Sequence, residues 1–331
     1  MNEKLPPVLG CLPDQPDKRD FIYEEVMGAP PPEMPSFEKG FDVEEKYTKL
    51  RDDLQGHTLG CVTFGGTNDV EMSIFVATQK MIQLSQRDAY SQIWIKPNGA
   101  SSPRDFYKLA NQKGICEDDF LPTNPGLDLT EEWLRSRQGE SPESIANALK
   151  WRIGPYYSIT SLDIQVIAQA IFSNWGCGGA YWPYSSQMGH FIFPKGYGMY
   201  QGNKALKYKD SYPPVDKWIY FKDNKYYLSY PAGVQVNLGS FWTFQAGNWG
   251  NDMPKLLRKK STQEVFLVLN GKRYWIKEEP NFIDLVNSQP ISGIGWDKVE
   301  EVDIFTEPYE GDIIGKSNFA DLLKQIFGAI K

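Results

Sequence analysis

The sequence predicts an α+β protein in which a helical half precedes an antiparallel β half, with a cleft between them and a small β-rich module behind. Three observations carry this expectation. Between residues 61 and 174, segments with helical spacing of apolar residues and recognisable caps follow one another. From 178 to 230 the chain turns to short aromatic runs broken by Gly, Pro and Asp-Asn. Near 231 a stretch rich in Gly, Asn and Pro interrupts this pattern before a second β-rich block.

Residues 1–40, with "GAPPPEMP" at 28–35, read as an extended arm lying on the surface of the body. Residues 41–55 are charged and read as a short helix or turn. A helix is expected from Cys61 to about Gln86, with Val70, Ile74, Phe75, Met81 and Ile82 on one face. Gly65 and Gly66 weaken that pattern unless a neighbour packs closely against them. Residues 102–115 form a second helix, with Ser102 as N-cap and Gly114 as its stop. Residues 141–152 form a third, capped by Ser141 with Pro142 in the first turn, and 162–174 a fourth.

The runs at 178–186, 190–200, 204–212, 217–223 and 225–230 are expected strands. Residues 41–230 are then one domain, 231–261 a linker, and 262–316 a small β-rich accessory module. Within the module, "EVFLVLNGKRYWIKE" (264–278) reads as a hairpin around Asn-Gly. In 317–331, Phe319, Leu322, Leu323, Ile326, Phe327 and Ile330 share a face, giving an amphipathic helix that docks on its own chain or on a partner.

Composition narrows the function. The 331 residues are 41% hydrophobic and 14% aromatic, enough for a full core. A net charge of −7, mixed along the chain, argues against nucleic acid as a partner. No apolar run approaches membrane-spanning length, and the first residues lack the apolar core of a signal peptide. A cytoplasmic or virion-associated location is therefore expected. The four cysteines, Cys11, Cys61, Cys116 and Cys177, are scattered, so free thiols are expected rather than a disulfide framework or a zinc site, and no cofactor is implied. His57 and His190 are the only histidines.

One cysteine sits where chemistry is plausible. A thiol attacks a carbonyl as the thiolate, which a helix N-terminus or an adjacent imidazolium favours. Cys61 opens the expected helix after "QGHTLG", where free backbone N–H groups and the positive dipole end converge. Those groups suit an oxyanion, and the side-chain amide of Gln55 can supply a second donor.

"Gln55-Gly56-His57-Thr58-Leu59-Gly60-Cys61" resembles the motif of the papain-like cysteine peptidases. The resemblance covers about residues 10–230 and implies a two-lobed fold, with Gln55 in the oxyanion hole and Cys61 as nucleophile. Val62 replaces the family's aromatic residue. "GHFIFPKGYG" (189–198) is similar to the family's histidine strand, which makes His190 the general acid–base. "Asp210-Ser211-Tyr212" stands where the family has Asn-Ser-Trp, so Asp210 would orient the imidazole and Tyr212 shield the contact.

Other segments add to the resemblance. Residues 101–118 and 178–186 are similar to flanking family elements, and 9–21 to the N-terminal arm of bacterial and viral relatives without a long inhibitory propeptide. Thr58 replaces a structural cysteine of the family. Residues 270–303 look like small modules appended to bacterial surface and phage-associated proteins, which implies a targeting role and a virion or cell-surface assembly as partner. The resemblance implies thiol-dependent hydrolysis of a peptide or protein substrate. Two alternatives keep the fold: an inactive structural or binding component, for which the bulk after His190 speaks, and a peptidoglycan cross-bridge endopeptidase.

Overall fold

A computed structural model of the chain describes residues 9–247, except 16, 32, 98, 184 and 185, together with Trp249 and the backbone of five later strands. Two compact units divide it, Met1–Gly247 and Asn248–Lys331.

The first unit opens with α1 (Tyr23–Val26), β1 (Phe41–Asp42) and α2 (Val43–Lys46), and continues through α3 (Cys61–Thr78), α4 (Gln86–Ile93), α5 (Pro103–Gln112), α6 (Glu131–Arg135) and α7 (Pro142–Lys150). After β2 (Tyr156–Ile159) and α8 (Ile164–Asn174) come β3 (Gly178–Pro183), β4 (His190–Tyr200), β5 (Asn203–Lys209), β6 (Asp216–Lys222), β7 (Lys225–Leu228) and β8 (Gln235–Phe244). The α+β order expected from the sequence is the one observed.

Caps set the helix limits. Ser102 and Ser141 accept from the N–H groups of Asp105 and Ser144, satisfying donors that the first turn leaves unpaired. The α3 helix is shorter than expected. Gln79 adopts a left-handed conformation, φ 59°, and ends it at Thr78; Ser85 then caps α4. Apolar spacing alone carries through this break, because Met81 and Ile82 continue the pattern beyond the turn.

Gly65 and Gly66 have the close-packing role. A Cβ on Gly65 would lie 2.9 Å from Phe191 and 3.0 Å from the Ile192 carbonyl carbon; one on Gly66 would lie 2.4 Å from the Phe106 ring. The missing side chains bring α3 down onto β4 and α5.

All strand pairings in this unit are antiparallel, in the order β1-β4-β3-β8-β7-β6-β5. Because β5 also pairs with β4, six strands close on themselves. Tyr181, Ile192, Leu206, Tyr208, Ile219, Leu238 and Phe241 share a core cluster with Ile167 and Ile171 of α8. A second cluster, Phe64, Tyr90, Leu129 and Leu134, holds the helical side.

Two expectations change. Residues 235–244, placed in a linker by their Gly and Asn content, form β8 between β3 and β7, with Val236 and Leu238 buried and Asn237 exposed. Period-2 burial outweighs composition there. The N-terminal arm is not confined to the surface either. Tyr23 and Phe37 join the main core, and Cys11 is fully buried.

The second unit holds β9 (Lys255–Lys259), β10 (Val265–Leu269), β11 (Lys272–Ile276), β12 (Glu300–Val302) and β13 (Tyr309–Ile313), in the order β12-β9-β10-β11-β13. β10 and β11 pair antiparallel from Val265↔Ile276 to Leu269↔Lys272, as a hairpin requires. The Asn-Gly turn itself and the expected helix at 317–331 lie outside the described residues. Among the described residues, no helix is long and apolar enough to cross a membrane.

Candidate active site

The site is built where α3 starts against β4. Gly60 is the N-cap, and Cys61 is the first helical residue. A Cβ at position 60 would lie 2.7 Å from the Leu134 side chain, so glycine lets the loop turn tightly into the helix. Cys61 is buried, and its thiol interacts with the imidazole of His190. His190 opens β4, the strand on which α3 packs. The phenyl ring of Phe191 fills the space left by Gly65 and Gly178, where an added Cβ would lie 2.9 Å and 2.4 Å, respectively, from the Phe191 ring. The bulk after the histidine is therefore absorbed by two glycines rather than projected over the site.

His190 is aligned from behind. Its Nε2 lies 2.8 Å from Asp210 Oδ1, and both side chains are fully buried. Nδ1 has no hydrogen-bond partner among the described residues, and Cys61 is the other group, after Asp210, whose charge and hydrogen bonding act on the ring. Asp210 follows β5 and is held at both oxygens. Oδ1 also accepts from the Tyr212 backbone N–H (2.9 Å), and Oδ2 accepts from Lys217 Nζ (2.7 Å). The Tyr212 ring lies 5.4 Å from the His190 ring, and the Tyr181 ring meets it edge-on at 5.5 Å. The Tyr212 and His190 rings are tilted 40° to each other.

Gln55 is buried beside this group. Its Nε2 donates to the Thr58 carbonyl at 2.6 Å, its Oε1 accepts from Ser211 Oγ, and its backbone N–H donates to the Ser211 carbonyl at 3.2 Å. Nε2 carries a second N–H beyond the one spent on Thr58, and the Gln55 side chain also shares a hydrogen bond with the Tyr212 hydroxyl. Gly56 has φ +57°, and a Cβ there would lie 2.8 Å from the Gly126 carbonyl oxygen, so the glycine after Gln55 is sterically required. His57 is exposed and takes no part. The structure thus brings Cys61, His190, Asp210 and Gln55 into one buried group.

The electrostatics follow from the pairing. Burial alone would lower the His190 pKa, but the Asp210 carboxylate, by charge and hydrogen bond, and then Cys61 raise it to about 9. Burial alone would raise Asp210, but His190 and Lys217 hold it at about 2. The signs give a pH window. A histidine whose folded pKa exceeds its unfolded value of about 6.5 contributes stability below that value and loses it as pH rises towards 9. The Asp210 contribution is present above its unfolded value, about 3.9, and lost as pH falls through 2. Urea midpoints should therefore decline between pH 6.5 and 9 in the wild type more steeply than in a His190→Ala variant. Parallel declines would contradict a charged, Asp210-paired imidazole.

Two features were not anticipated. Residues 10–12 form an edge contact with Gly189, the residue before His190, and with Ser101. Cys11 and Gly189 exchange both backbone hydrogen bonds (3.0 and 2.8 Å), while Leu12 N–H and Gly10 C=O bond to Ser101. Gly10 lies so close to the cysteine loop that a Cβ would sit 2.0 Å from the Leu59 carbonyl oxygen. Burial raises the Cys11 thiol pKa, and the neighbouring Cys61 and Asp14 add to the shift. Asp14 anchors the segment by accepting from Ser102 Oγ and Trp242 Nε1. The second feature is Lys217. Its alternation with Ile219 in "KWIYFK" was the available signal that this lysine faces inward.

A helix-initiating thiol coupled to a strand-initiating imidazole, on a helical layer packed against a closed antiparallel sheet, defines the class: the chain has the fold of the papain-like cysteine peptidases. Its likeness to solved structures is explicit. Xylellain, a cysteine protease from Xylella fastidiosa, superposes with a TM-score of 0.53 at 16% identity, covering 72% of this chain and 96% of that one. The Amb a 11 cysteine protease, a major ragweed pollen allergen solved in its proform, gives 0.50 at 15%, covering 66% and 69%. No protein-family model and no curated protein sequence matches the chain.

Proposed function

We propose that this chain is a papain-type cysteine endopeptidase that hydrolyses peptide bonds through an acyl-enzyme on Cys61. The observation that carries the reading is the buried line from the Cys61 thiol through the His190 ring to Asp210. In this reading the helical layer and the closed sheet are the two walls of a substrate cleft. The Cys61 thiolate attacks the carbonyl carbon, and negative charge develops on its oxygen. The Cys61 N–H, free of intrahelical partners at the helix start, and the Gln55 side-chain amide, once it gives up its bond to the Tyr212 hydroxyl, receive that oxygen. The His190 imidazolium then protonates the departing amine. Water, deprotonated by the neutral imidazole, hydrolyses the thioester and restores the pair. Asp210 keeps the ring in one orientation throughout.

Labelling distinguishes this from a non-catalytic binding part. Iodoacetamide should alkylate Cys61 at mildly acidic pH, where an ordinary thiol of pKa about 8.5 is unreactive. Alkylation only under alkaline conditions would favour the binding part, and cleavage of cross-linked peptidoglycan but not casein would favour the cell-wall substrate. The second unit, with its five-stranded sheet, is assigned the role of an accessory module that brings the peptidase to its target.

In this reading residues 10–12 stand where a peptide would have to lie beside Gly189 and Ser101. Deleting residues 1–12 should raise kcat/KM on a fluorogenic peptide about 10- to 100-fold, the gain from removing an occupant present 90–99% of the time. Gly10→Ala, which drives the strand off Leu59, should act in the same direction. Unchanged kcat/KM in both variants would show that the segment does not compete with substrate.

A further inference from the structure

A buried carboxylate in place of a neutral amide raises a question of charge. Asp210 adds a full negative charge to a site closed off from water, where an uncompensated carboxylate is costly. The compensation comes from the neighbouring strand. Lys217, the second residue of β6 and directly across from Tyr208 on β5, is 3% exposed. Its ammonium donates to Asp210 Oδ2 at 2.7 Å and to the Tyr212 carbonyl at 3.0 Å, and it lies 5.4 Å from the centre of the Tyr230 ring. The other buried lysines of the sheet are engaged elsewhere. Lys195 pairs with Glu44, Asp42 and Asp216, and Lys209 with Glu44 and Asp52.

We infer that Lys217 is a positioning residue for the proposed peptidase reaction: its ion pair with Asp210 stands in for a neutral amide and holds the carboxylate that faces His190 in one charge-balanced position. The inference rests on the reading of Cys61 and His190 as the reacting pair. Both halves come from one hairpin, Asp210 leaving β5 and Lys217 entering β6, so their separation is set by local register. The carboxylate uses one oxygen on the imidazole and the other on the ammonium, which fixes its plane. The ammonium touches neither the thiol nor the imidazole. It acts on the reaction through the residues it bonds, Asp210 first and then the backbone of Tyr212, whose ring lies beside the imidazole.

The groups that face the His190 ring are Cys61 from α3, Tyr181 from β3, and Asp210 and Tyr212 from the β5–β6 connection. Tyr208 and Lys217 face Asp210 from the sheet. Removing the ammonium should strengthen the hold of Asp210 on the imidazolium proton, whereas removing only the carboxylate charge leaves a buried ammonium near the ring.

The test compares Lys217→Met, Asp210→Asn and the double variant Asp210→Asn/Lys217→Met by kcat/KM against pH and by NMR titration of the His190 C2–H. The chain has only one other histidine, His57, which is exposed. Lys217→Met should lower kcat/KM about tenfold or more and move the His190 titration to higher pH, the scale expected for coupled neighbours. Asp210→Asn should also lose activity and move the titration to lower pH. The double variant should recover kcat/KM to within about threefold of the wild type and return the titration towards it.

A double variant no better than the worse single variant would overturn the inference, as would a folded Lys217→Met with wild-type rates and titration. If Lys217→Met fails to fold by circular dichroism, the double variant against Asp210→Asn decides the matter alone. A wild type that hydrolyses no peptide would sink the peptidase reading, while the ring titration would still decide whether Lys217 balances Asp210.

Discussion

Cys61→Ser should abolish peptide hydrolysis and leave the fold intact. Serine is nearly isosteric with cysteine, so the packing at the start of α3 changes little. The chemistry changes greatly. A hydroxyl has no accessible anion near neutrality, and His190 is poised in this site as a cation paired with Asp210, not as a strong base. An imidazolium can stabilise a thiolate, but it cannot take a proton from a serine hydroxyl. Loss of a nucleophile in a residue set that acts as a unit costs on the order of 10⁵–10⁶ in kcat. The measurement is turnover of casein and a fluorogenic peptide library, with circular dichroism to confirm folding. A variant that cleaves either substrate at the wild-type rate would mean that Cys61 is not the nucleophile.

The elements that the sequence declares are those set by local chemistry. Ser102 and Ser141 announce helix starts because a hydroxyl before a first turn satisfies backbone N–H groups wherever it occurs. The Gln55–Cys61 spacing and the His190 strand were readable because the distance from a loop donor to a helix start is a local matter. Less legible are the features that exist only once distant segments meet. β8 looks like a linker by composition and is a strand because β3 and β7 flank it. The Cys11 segment reads as a surface arm, and its burial depends on Gly189 and Ser101, 178 and 90 residues away. Phe191 is bulky for its place in the sequence pattern, and only the distant Gly65 and Gly178 make room for it. Lys217 alternates with Ile219 as an inward-facing strand residue does, but its pairing with Asp210 exists only through the return of the β5–β6 hairpin.

His190→Ala should match Cys61→Ser in severity, and Asp210→Ala should fall short of both. His190 exchanges protons with the thiol, the amine and water, so no step proceeds at its normal rate without it. Asp210 exchanges none. It orients the ring and balances charge, and the orienting member of such a unit costs one to two orders of magnitude less than the nucleophile or base, roughly 10⁴ against 10⁶. Removing Asp210 here has an added cost, because Lys217 is left with a buried ammonium whose other donor bond goes to the Tyr212 carbonyl. That cost should appear first in stability: Asp210→Ala should unfold at lower urea than His190→Ala, since breaking a buried ion pair from one side is destabilising by about 3–5 kcal/mol. Activity and stability should therefore rank the two variants in opposite orders, His190→Ala worse in kcat and Asp210→Ala worse in urea midpoint. The double variant Cys61→Ser/His190→Ala should be no slower than either single one, because the two groups serve the same step. Equal kcat losses for Asp210→Ala and His190→Ala would make the carboxylate indispensable in its own right, and a urea midpoint unaffected by Asp210→Ala would mean that Lys217 does not depend on it.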